Sequence, residues 1–398
     1  MSPNEAAEAR AGRAVGSASE VFRTFLKLGV TSFGGPIAHL GYYRDELVVR
    51  RRWIDESGYA DLVALCQFLP GPASSQVGFS LGVLRGHGLL GGLAAWTAFT
   101  LPSALVLFAF ALGAASFTGP VAEGFLHGLK LVAVAVVAQA IWGMASSLTP
   151  DRSRAGIALG AIAIVTFVGG SFGQVAAIAA GALAGLYLCR GTAATPSGHF
   201  TFPVSRRAGA IALTFFALLL VVPPIIVAAM PNHGLALFDA FYRAGALVFG
   251  GGHVVQPGWV GNEAFLAGYG VAQAVPGPLF TFAAYLGAVG VPEPNGWAGG
   301  AIALAAIFLP GLLLVYGMLP FWDRLRSRSV AQAGMRGANA AVVGILAAAL
   351  YDPVWTSAVT GPADFFLAIL GFLLLTMWKV PSWVVVLLLA GLGLSLIH

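Results

Sequence analysis

Two stretches of the chain share the same unusual break. CQFLPGPASSQVGFSLG (66–82) and AQAVPGPLFTFAAYLG (272–287) are apolar segments, each interrupted by a Pro-Gly-Pro triplet. Proline lacks an amide donor and disfavours helix in the residue before it, so a helix must end before Pro70. The arms on either side of the first triplet, 58–69 and 72–86, are each shorter than the roughly 20 helical residues that cross a bilayer. The first stretch therefore predicts a re-entrant hairpin with the triplet at its tip.

The composition is that of a membrane protein. Of 398 residues, 58% are hydrophobic and only 9% are charged, whereas soluble domains carry roughly a quarter charged residues. The net charge of +5 lies mostly in loops, which indicates membrane topology and no nucleic-acid partner. We expect an all-α polytopic membrane protein with the lipid bilayer as its partner. The expected spans are 88–113, 121–148, 155–171, 172–189, 209–230, 297–319, 334–351, 361–378 and 381–397.

The sequence repeats itself once, at offsets of 206 to 216 residues. QFLPGP (67–72) aligns with QAVPGP (273–278), and three other pairs occur in the same order along the chain. Four ordered matches indicate an internal duplication. The other pairs are FLKLGVTSFGGP (25–36) with FYRAGALVFGGG (241–252), FTLPSALVLF (99–108) with IFLPGLLLVY (307–316), and GLKLVAVAVV (128–137) with GANAAVVGIL (337–346).

Arginine positions predict that the two repeats have inverted topology, because short arginine-rich loops stay in the cytoplasm. The first repeat carries Arg44 and Arg50–Arg52 before its break, and the matching stretch 254–275 has no Lys or Arg. Two elements later the distribution reverses, with arginines in 323–336 and none in 112–129. We expect a cytoplasmic N-terminus. The predicted segments are a cytoplasmic N-terminal segment (1–20), the first repeat (21–190), a polar linker with a connecting transmembrane helix (191–235) and the second, inverted repeat (236–398).

The two triplets are candidate anion sites. A helix that begins at the first triplet exposes its first amides, which carry a partial positive charge and bind anions. We place Pro72 at the first helical position. The alternative is that each break only kinks a helix for packing, with the serines as simple caps. The candidate substrate-binding residues at the two tips are Gln67, Gly71, Pro72, Ser74, Ser75 and Gln76, and Gln273, Gly277, Pro278 and Thr281.

The FGG motifs predict a second break in each repeat. The candidate binding residues here are Gly34 and Gly35, and Gly250, Gly251 and His253. Lys27 and Arg243 occupy equivalent positions about two turns earlier, and a cation within an apolar element suggests a functional site. The alternative is that both cations extend to the membrane interface. Broken helices of two inverted repeats that meet near the midplane are a known way to build a transport site.

The sequences FLKLGVTSFGGP, RRRWIDESGYADLVALCQFLPGP, FGGGHVV and AQAVPGP resemble the signatures of the chromate ion transporter (CHR) family, in its long two-domain form. The resemblance covers nearly the whole chain. It implies an inner-membrane protein that exports chromate and confers chromate resistance, with sulfate as a structural analogue. The second repeat departs from the first, because its loop before the triplet is about ten residues shorter and lacks arginines. We therefore interpret Arg50–Arg52 as topology anchors.

Other functions remain open on sequence grounds. A transporter of sulfate or another tetrahedral oxyanion would use the same amides, and a homodimer is also left open. The sequence disfavours an integral-membrane enzyme, since it has no HExxH motif and no Walker loop. No catalytic residue, metal site or cofactor is predicted, and Cys66 and Cys189 are isolated. Since expelling a dianion from a negative-inside cell is favourable, we expect export driven by the membrane potential.

Overall fold

The computed structural model describes nine stretches of the chain. They are residues 16–33, 35–86, 88–114, 120–190, 202–230, 232–247, 259–291, 293–322 and 328–394. Every regular element in these stretches is a helix, which confirms the all-α class predicted from composition. The chain folds as two compact units.

Unit 1 draws on Met1–Leu112, Ser197–Trp259 and Val275–Trp322, and so contains both Pro-Gly-Pro triplets. A π-helical turn, Arg44–Arg50, follows its second helix. A 3₁₀ turn, Leu279–Thr281, precedes α12. The helices of unit 1 are α1 (Ala18–Thr31), α2 (Gly35–Tyr43), α3 (Glu56–Phe68), α4 (Ala73–Arg85), α5 (Leu89–Ala114), α9 (Arg206–Ala229), α10 (His233–Leu247), α12 (Phe282–Val289) and α13 (Gly296–Met318).

Unit 2 draws on Gly113–Pro196, Val260–Ala274 and Asp323–His398. A π-helical turn, Leu350–Trp355, extends its fifth helix. The helices of unit 2 are α6 (Pro120–Leu148), α7 (Arg152–Val168), α8 (Gly170–Leu188), α11 (Asn262–Ala274), α14 (Ser329–Ala349), α15 (Thr356–Ala358), α16 (Pro362–Thr376) and α17 (Ser382–Leu394).

Several helices begin where a short polar side chain caps the first free amides. Ser17 accepts a hydrogen bond from the Glu20 amide at the start of α1. Asp151 and Ser205 act in the same way at the starts of α7 and α9. Each cap satisfies one of the amides that the first turn of a helix leaves without a partner. The positions at which these helices begin are therefore determined by residues next to each boundary.

Five helices in the described part of the chain are long and apolar enough to cross a membrane. They lie at Leu89–Gly113, His127–Ser146, Arg206–Ala229, Gly296–Phe321 and Gln332–Ala358. The other four expected spans are the helices α7, α8, α16 and α17, of 13 to 19 residues. The chain is accordingly a polytopic membrane protein, as the composition predicted.

The compact units do not coincide with the predicted repeats, because each unit takes helices from both. In unit 2, α6 of the first repeat packs against α16 and α17 of the second. The equivalent helix of the second repeat, α14, packs against α7 and α8 of the first. These contacts correspond at the offsets of the sequence duplication. The inverted orientation of the repeats stays a prediction.

Glycines allow the closest of these crossings. A Cβ at Gly128 in α6 would meet the backbone of Leu389 and Ala390 in α17. A Cβ at Gly337 in α14 would meet the backbone of Gly181 and Gly185 in α8. Small residues of this kind let membrane helices approach closely enough for dispersion contacts to hold them together.

We predict that Gly337→Ala destabilises the protein, because the added methyl group strikes backbone atoms that cannot rotate away. Overpacking of this kind costs about 1–3 kcal/mol. The measurement is the thermal unfolding midpoint of the purified, detergent-solubilised protein, followed by tryptophan fluorescence. The matched control is Gly391→Ala in α17, where a Cβ has open space around it. The control should leave the midpoint unchanged or raise it. Equal midpoints for both variants would contradict the tight crossing.

Candidate functional site

The first triplet ends one helix and begins the next. The helix α3 stops at Phe68, and α4 starts at Ala73 without a side-chain cap. Gly71 between them has φ +121°, a conformation that only glycine adopts without strain. Pro72 is the N-cap residue and not the first helical residue, so the sequence-based placement was wrong by one position. Its ψ of 92° keeps it extended, and its carbonyl accepts the first helical hydrogen bond, from the Gln76 amide.

The second triplet has the same backbone form with different polar groups. Gly277 has φ +103°. A 3₁₀ turn follows before α12, and the Thr281 hydroxyl donates to the Pro278 carbonyl at 2.7 Å. The Gly277 amide donates to the Ser32 carbonyl at 3.0 Å. Two of the polar groups at this tip are therefore occupied within the protein.

Each tip packs against a proline-containing helix of the other repeat. A Cβ on Gly71 would lie 3.0 Å from the Cα of Gly311, next to Pro310 inside α13. A Cβ on Gly277 would lie 2.9 Å from the Ser103 Oγ, next to Pro102 inside α5. The two contacts are equivalent at the offsets of the duplication. They place both breaks against helices long enough to span the membrane.

Gln76 fastens the first tip to α13. Its Nε2 donates to the Pro70 carbonyl at 2.9 Å and to the Gly311 carbonyl at 3.1 Å. Both acceptors are backbone carbonyls, one beside the break and one inside α13. The position equivalent to Gln76 in the second repeat is Phe282, so this clamp has no counterpart there.

Buried polar side chains gather at the start of α4. His39 on α2 is 1% exposed, and its Nδ1 lies 3.4 Å from the Ser74 Oγ. The His39 ring packs edge-on against Phe99 of α5, with the centroids 5.2 Å apart. The Phe99 carbonyl lies beside Gly277. We call the polar residues of this region the tip cluster: Ser32, His39, Ser74, Ser75, Gln76 and Thr100.

Five side-chain atoms of the tip cluster are buried without a hydrogen-bond partner. Leaving a buried polar atom unsatisfied costs about 1–3 kcal/mol each, so native proteins rarely tolerate several together. Four of the five side chains are hydroxyls or an imidazole, which can donate to an oxyanion. The five atoms are the Ser32 Oγ, the His39 Nε2, the Ser75 Oγ, the Gln76 Oε1 and the Thr100 Oγ1. The hydroxyls and the imidazole, together with the uncapped amides of α4, are suited to a ligand with several acceptor oxygens, whereas the Gln76 Oε1 can only accept.

Lys27 and Arg243, the two cations singled out in the sequence, are each paired with a buried carboxylate. The Lys27 Nζ lies 3.0 Å from the Glu46 Oε2. Arg243 pairs with Asp239 one turn earlier on α10. Both cations are about half exposed, whereas both carboxylates are buried. Each of the two cations therefore has a carboxylate partner within the protein.

Glu46, in the π-helical turn, is the centre of a cation cluster that the sequence analysis did not foresee. Besides Lys27, it pairs with Arg50 at 3.1 Å and Arg51 at 2.8 Å. Burial raises the pKa of this carboxyl, but its three cations outweigh burial and lower the pKa to about 2. A depressed carboxyl pKa gives stability that is present above the ordinary value of 4.5 and lost as the pH falls towards about 2. The turn between α2 and α3 is thus held by charge at neutral pH.

The remaining candidates are less closely tied to the tip cluster. Gln67 is exposed, and Gln273 is buried in unit 2. Gly35 begins α2 with φ +78°. Gly34, Gly250, Gly251 and His253 lie outside the described residues.

Sequence reasoning missed three residues of the tip cluster, Ser32, His39 and Thr100. Ser32 and Thr100 lie in the repeated stretches 25–36 and 99–108, but the second copy has Val248 and Phe308 at their positions. His39 lies outside every repeated stretch, and a single histidine or hydroxyl carries no pattern. Their only shared sequence signal is proximity to a break, since Ser32 precedes FGG and Thr100 precedes Pro102.

The described residues hold no group of three or more His, Cys, Asp or Glu that would suit a metal ion. GGSFG (169–173) has the spacing of a nucleophile elbow, but it joins the helices α7 and α8. A nucleophile elbow joins a strand to a helix, so this match does not indicate a catalytic serine.

Comparison with known proteins identifies the family. The family model described as Chromate transporter matches residues 19–186 and 235–394. The chromate transport protein of Pseudomonas aeruginosa is 29% identical over 94% of this chain and 90% of its own length. The probable chromate transport protein of Synechococcus elongatus is 27% identical over 84% of each chain. The Bacillus subtilis transporter YwrB is 32% identical over 40% of this chain and 87% of its own length. No solved structure matches the chain. The chain therefore belongs to the chromate transporter family, as its motifs predicted.

Proposed function

We propose that this protein exports chromate across the inner membrane and binds it in the tip cluster, near the membrane midplane. The observation that carries the proposal is the set of four buried, unpartnered hydroxyl and imidazole groups beside the uncapped start of α4. Chromate is a tetrahedral dianion with four acceptor oxygens. Backbone amides at a helix start, together with hydroxyl donors, recognise both its charge and its shape.

The first tip binds the anion, and the second tip supports it. At the second tip, Gly277 and Thr281 already donate to the Ser32 and Pro278 carbonyls. At the first tip, Ser75 is 2% exposed and its hydroxyl is free of protein partners. The two tips thus have different roles, binding at the first and structural support at the second, although their backbones are alike.

Lys27 and Arg243 act outside the binding step. Each of these cations is held in an ion pair with a buried carboxylate, Lys27 with Glu46 and Arg243 with Asp239. The cluster of arginines around Glu46 instead fixes the turn between α2 and α3 and, by the rule for basic loops, keeps it on the cytoplasmic side.

The membrane potential supplies the driving force. Moving one charge through 100 mV is worth about 2.3 kcal/mol, so a dianion leaving a negative-inside cell gains roughly twice that. We assign the protein a cytoplasmic N-terminus and an outward direction of net chromate flux.

We predict that Ser75→Ala lowers chromate flux in proteoliposomes about tenfold, the expected loss for one hydrogen bond to a charged group. Flux is measured with an imposed voltage, positive on the side that receives chromate. The matched control is Ser146→Ala on α6, an exposed serine whose hydroxyl donates only to the Gly143 carbonyl. The control should transport at the parental rate.

Two outcomes of this flux experiment would count against the proposal. If Ser75→Ala transports chromate at the parental rate, the tip cluster is not part of the transport path. If the flux does not depend on the imposed voltage, the membrane potential is not the driving force. Competition by sulfate and molybdate in the same vesicles measures selectivity among tetrahedral dianions. If the parent protein carried sulfate but not chromate, the proposed substrate would be wrong and sulfate would take its place.

We predict that equivalent loops of the two repeats label from opposite membrane faces. In a chain with Cys66 and Cys189 replaced by alanine, Asp45→Cys should react with an impermeant maleimide from the cytoplasmic side. Gly261→Cys should react from the outer side, because its loop lacks arginines.

Arg326→Cys serves as the second cytoplasmic marker, since its loop is the arginine-rich one of the second repeat. Inside-out and right-side-out vesicles report the two faces. Labelling of Asp45→Cys and Gly261→Cys from one face would refute the inverted arrangement.

A further inference from the structure

The segments that form the tip cluster or pack against it are almost without charge in the sequence. Residues 31–43, 69–84, 88–112 and 275–322 contain no Lys or Arg, and their only acidic residue is Glu293. His39 is the single residue in these four segments that can become positively charged. A dianion that binds in this region without its hydration water would contact polar groups of the four segments and one side chain, His39, that can carry a positive charge.

His39 is placed to serve as that cation. It is buried between α2, α4 and α5, with its Nδ1 facing the Ser74 hydroxyl at the start of α4. Its Nε2 is buried and has no hydrogen-bond partner. The hydroxyls of Ser75 and Thr100, which follow the His39 neighbours Ser74 and Phe99 in the chain, are likewise unpartnered. Ser74 lies beside Nδ1 and the Ser32 backbone also contacts the ring, and Nε2 is the nitrogen left without a partner for a ligand.

We propose that His39 is the counter-charge of the transported oxyanion: when the dianion binds, His39 takes up one proton from solution and donates a hydrogen bond from Nε2 to an anion oxygen. The proton returns to solution when the anion leaves, so no other reactant is needed. This inference rests on the proposed function of the tip cluster, and it adds to that function a binding residue and a proton.

The physical basis is the balance of burial against charge. Burial of an imidazole away from water favours its neutral form, and an adjacent anion favours its charged form. No carboxylate of the four segments other than Glu293 is available to hold the proton in the empty site. Proton uptake is therefore linked to anion binding by thermodynamic necessity.

The other titratable groups around His39 do not compete for this role. On its own helix they are the phenols Tyr42 and Tyr43. On α3 they include Tyr59, whose hydroxyl donates to the Leu40 carbonyl at 2.6 Å, and two carboxylates, Asp61 and Glu56, the latter paired with Arg44. Cys66 on α3 is a buried thiol. On α1, Lys27 is paired with Glu46 in the turn beyond α2. On α4, Arg85 lies at the far end of the helix and pairs with Glu20.

The test is calorimetric titration of the purified full chain with chromate at pH 8, where chromate is a dianion in solution, in buffers of different ionisation enthalpy. The slope of the observed heat against that enthalpy counts the protons taken up. We expect about one proton per chromate for the parent. For His39→Gln, which keeps an N–H donor but cannot be protonated, we expect none and affinity about 10- to 100-fold weaker.

The matched control is His233→Gln, an exposed histidine at the start of α10, which should match the parent in both proton uptake and affinity. His39→Asn is a second replacement, in case the glutamine variant does not fold. Chromate binding by the parent without proton uptake would overturn the His39 inference and leave the proposed function standing. Parental uptake in the His39 variants would also overturn it. Absence of any binding of chromate or sulfate to the parent would reject the proposed function itself.

Discussion

Backbone groups at membrane depth must find partners inside the protein, because lipid offers none. The two Pro-Gly-Pro breaks interrupt helices of unit 1 and leave backbone groups to be paired by other parts of that unit. Gln76 pairs the Pro70 and Gly311 carbonyls, and the Gly277 amide pairs with the Ser32 carbonyl. Both solutions require a glycine with positive φ that lies directly against a proline-containing helix. The position of each tip is therefore set by hydrogen bonding as much as by apolar packing.

The duplication gives the two tips the same backbone contacts, and local substitutions make their polar side chains different. Equivalent glycines make equivalent contacts, Gly71 with α13 and Gly277 with α5. Where the first repeat has Gln76, the second has Phe282, and the Gly277 amide and Thr281 hydroxyl at the second tip donate within the protein. A symmetrical backbone thus carries an asymmetrical set of donors. A single site for a small anion follows more naturally from this arrangement than two equal sites.

Much of the fold could be read from the sequence, because its boundaries depend on local chemistry. Proline and glycine fixed both breaks, and the expected span 121–148 agrees with α6 to within one residue. The site was harder to foresee. Asp239 and Arg243 have the i, i+4 spacing of a helical ion pair, a signal that was available in the sequence. The Lys27–Glu46 pair joins residues 19 positions apart across a π-helical turn, and His39 belongs to no motif, so neither could be predicted.

The helix α6 of the first repeat packs against helices of the second repeat, and α14 of the second packs against helices of the first. Each half of the chain therefore depends on the other half for part of its helix packing. Gly128 and Gly337 face backbone of the opposite half with no room for even a methyl group. A substitution to a bulkier residue at such a position in one half requires a compensating substitution in the other half. The halves of such a gene are bound to evolve together, and exchanging one of them for its counterpart from a distant species should fail even though each is a good copy of the same ancestor.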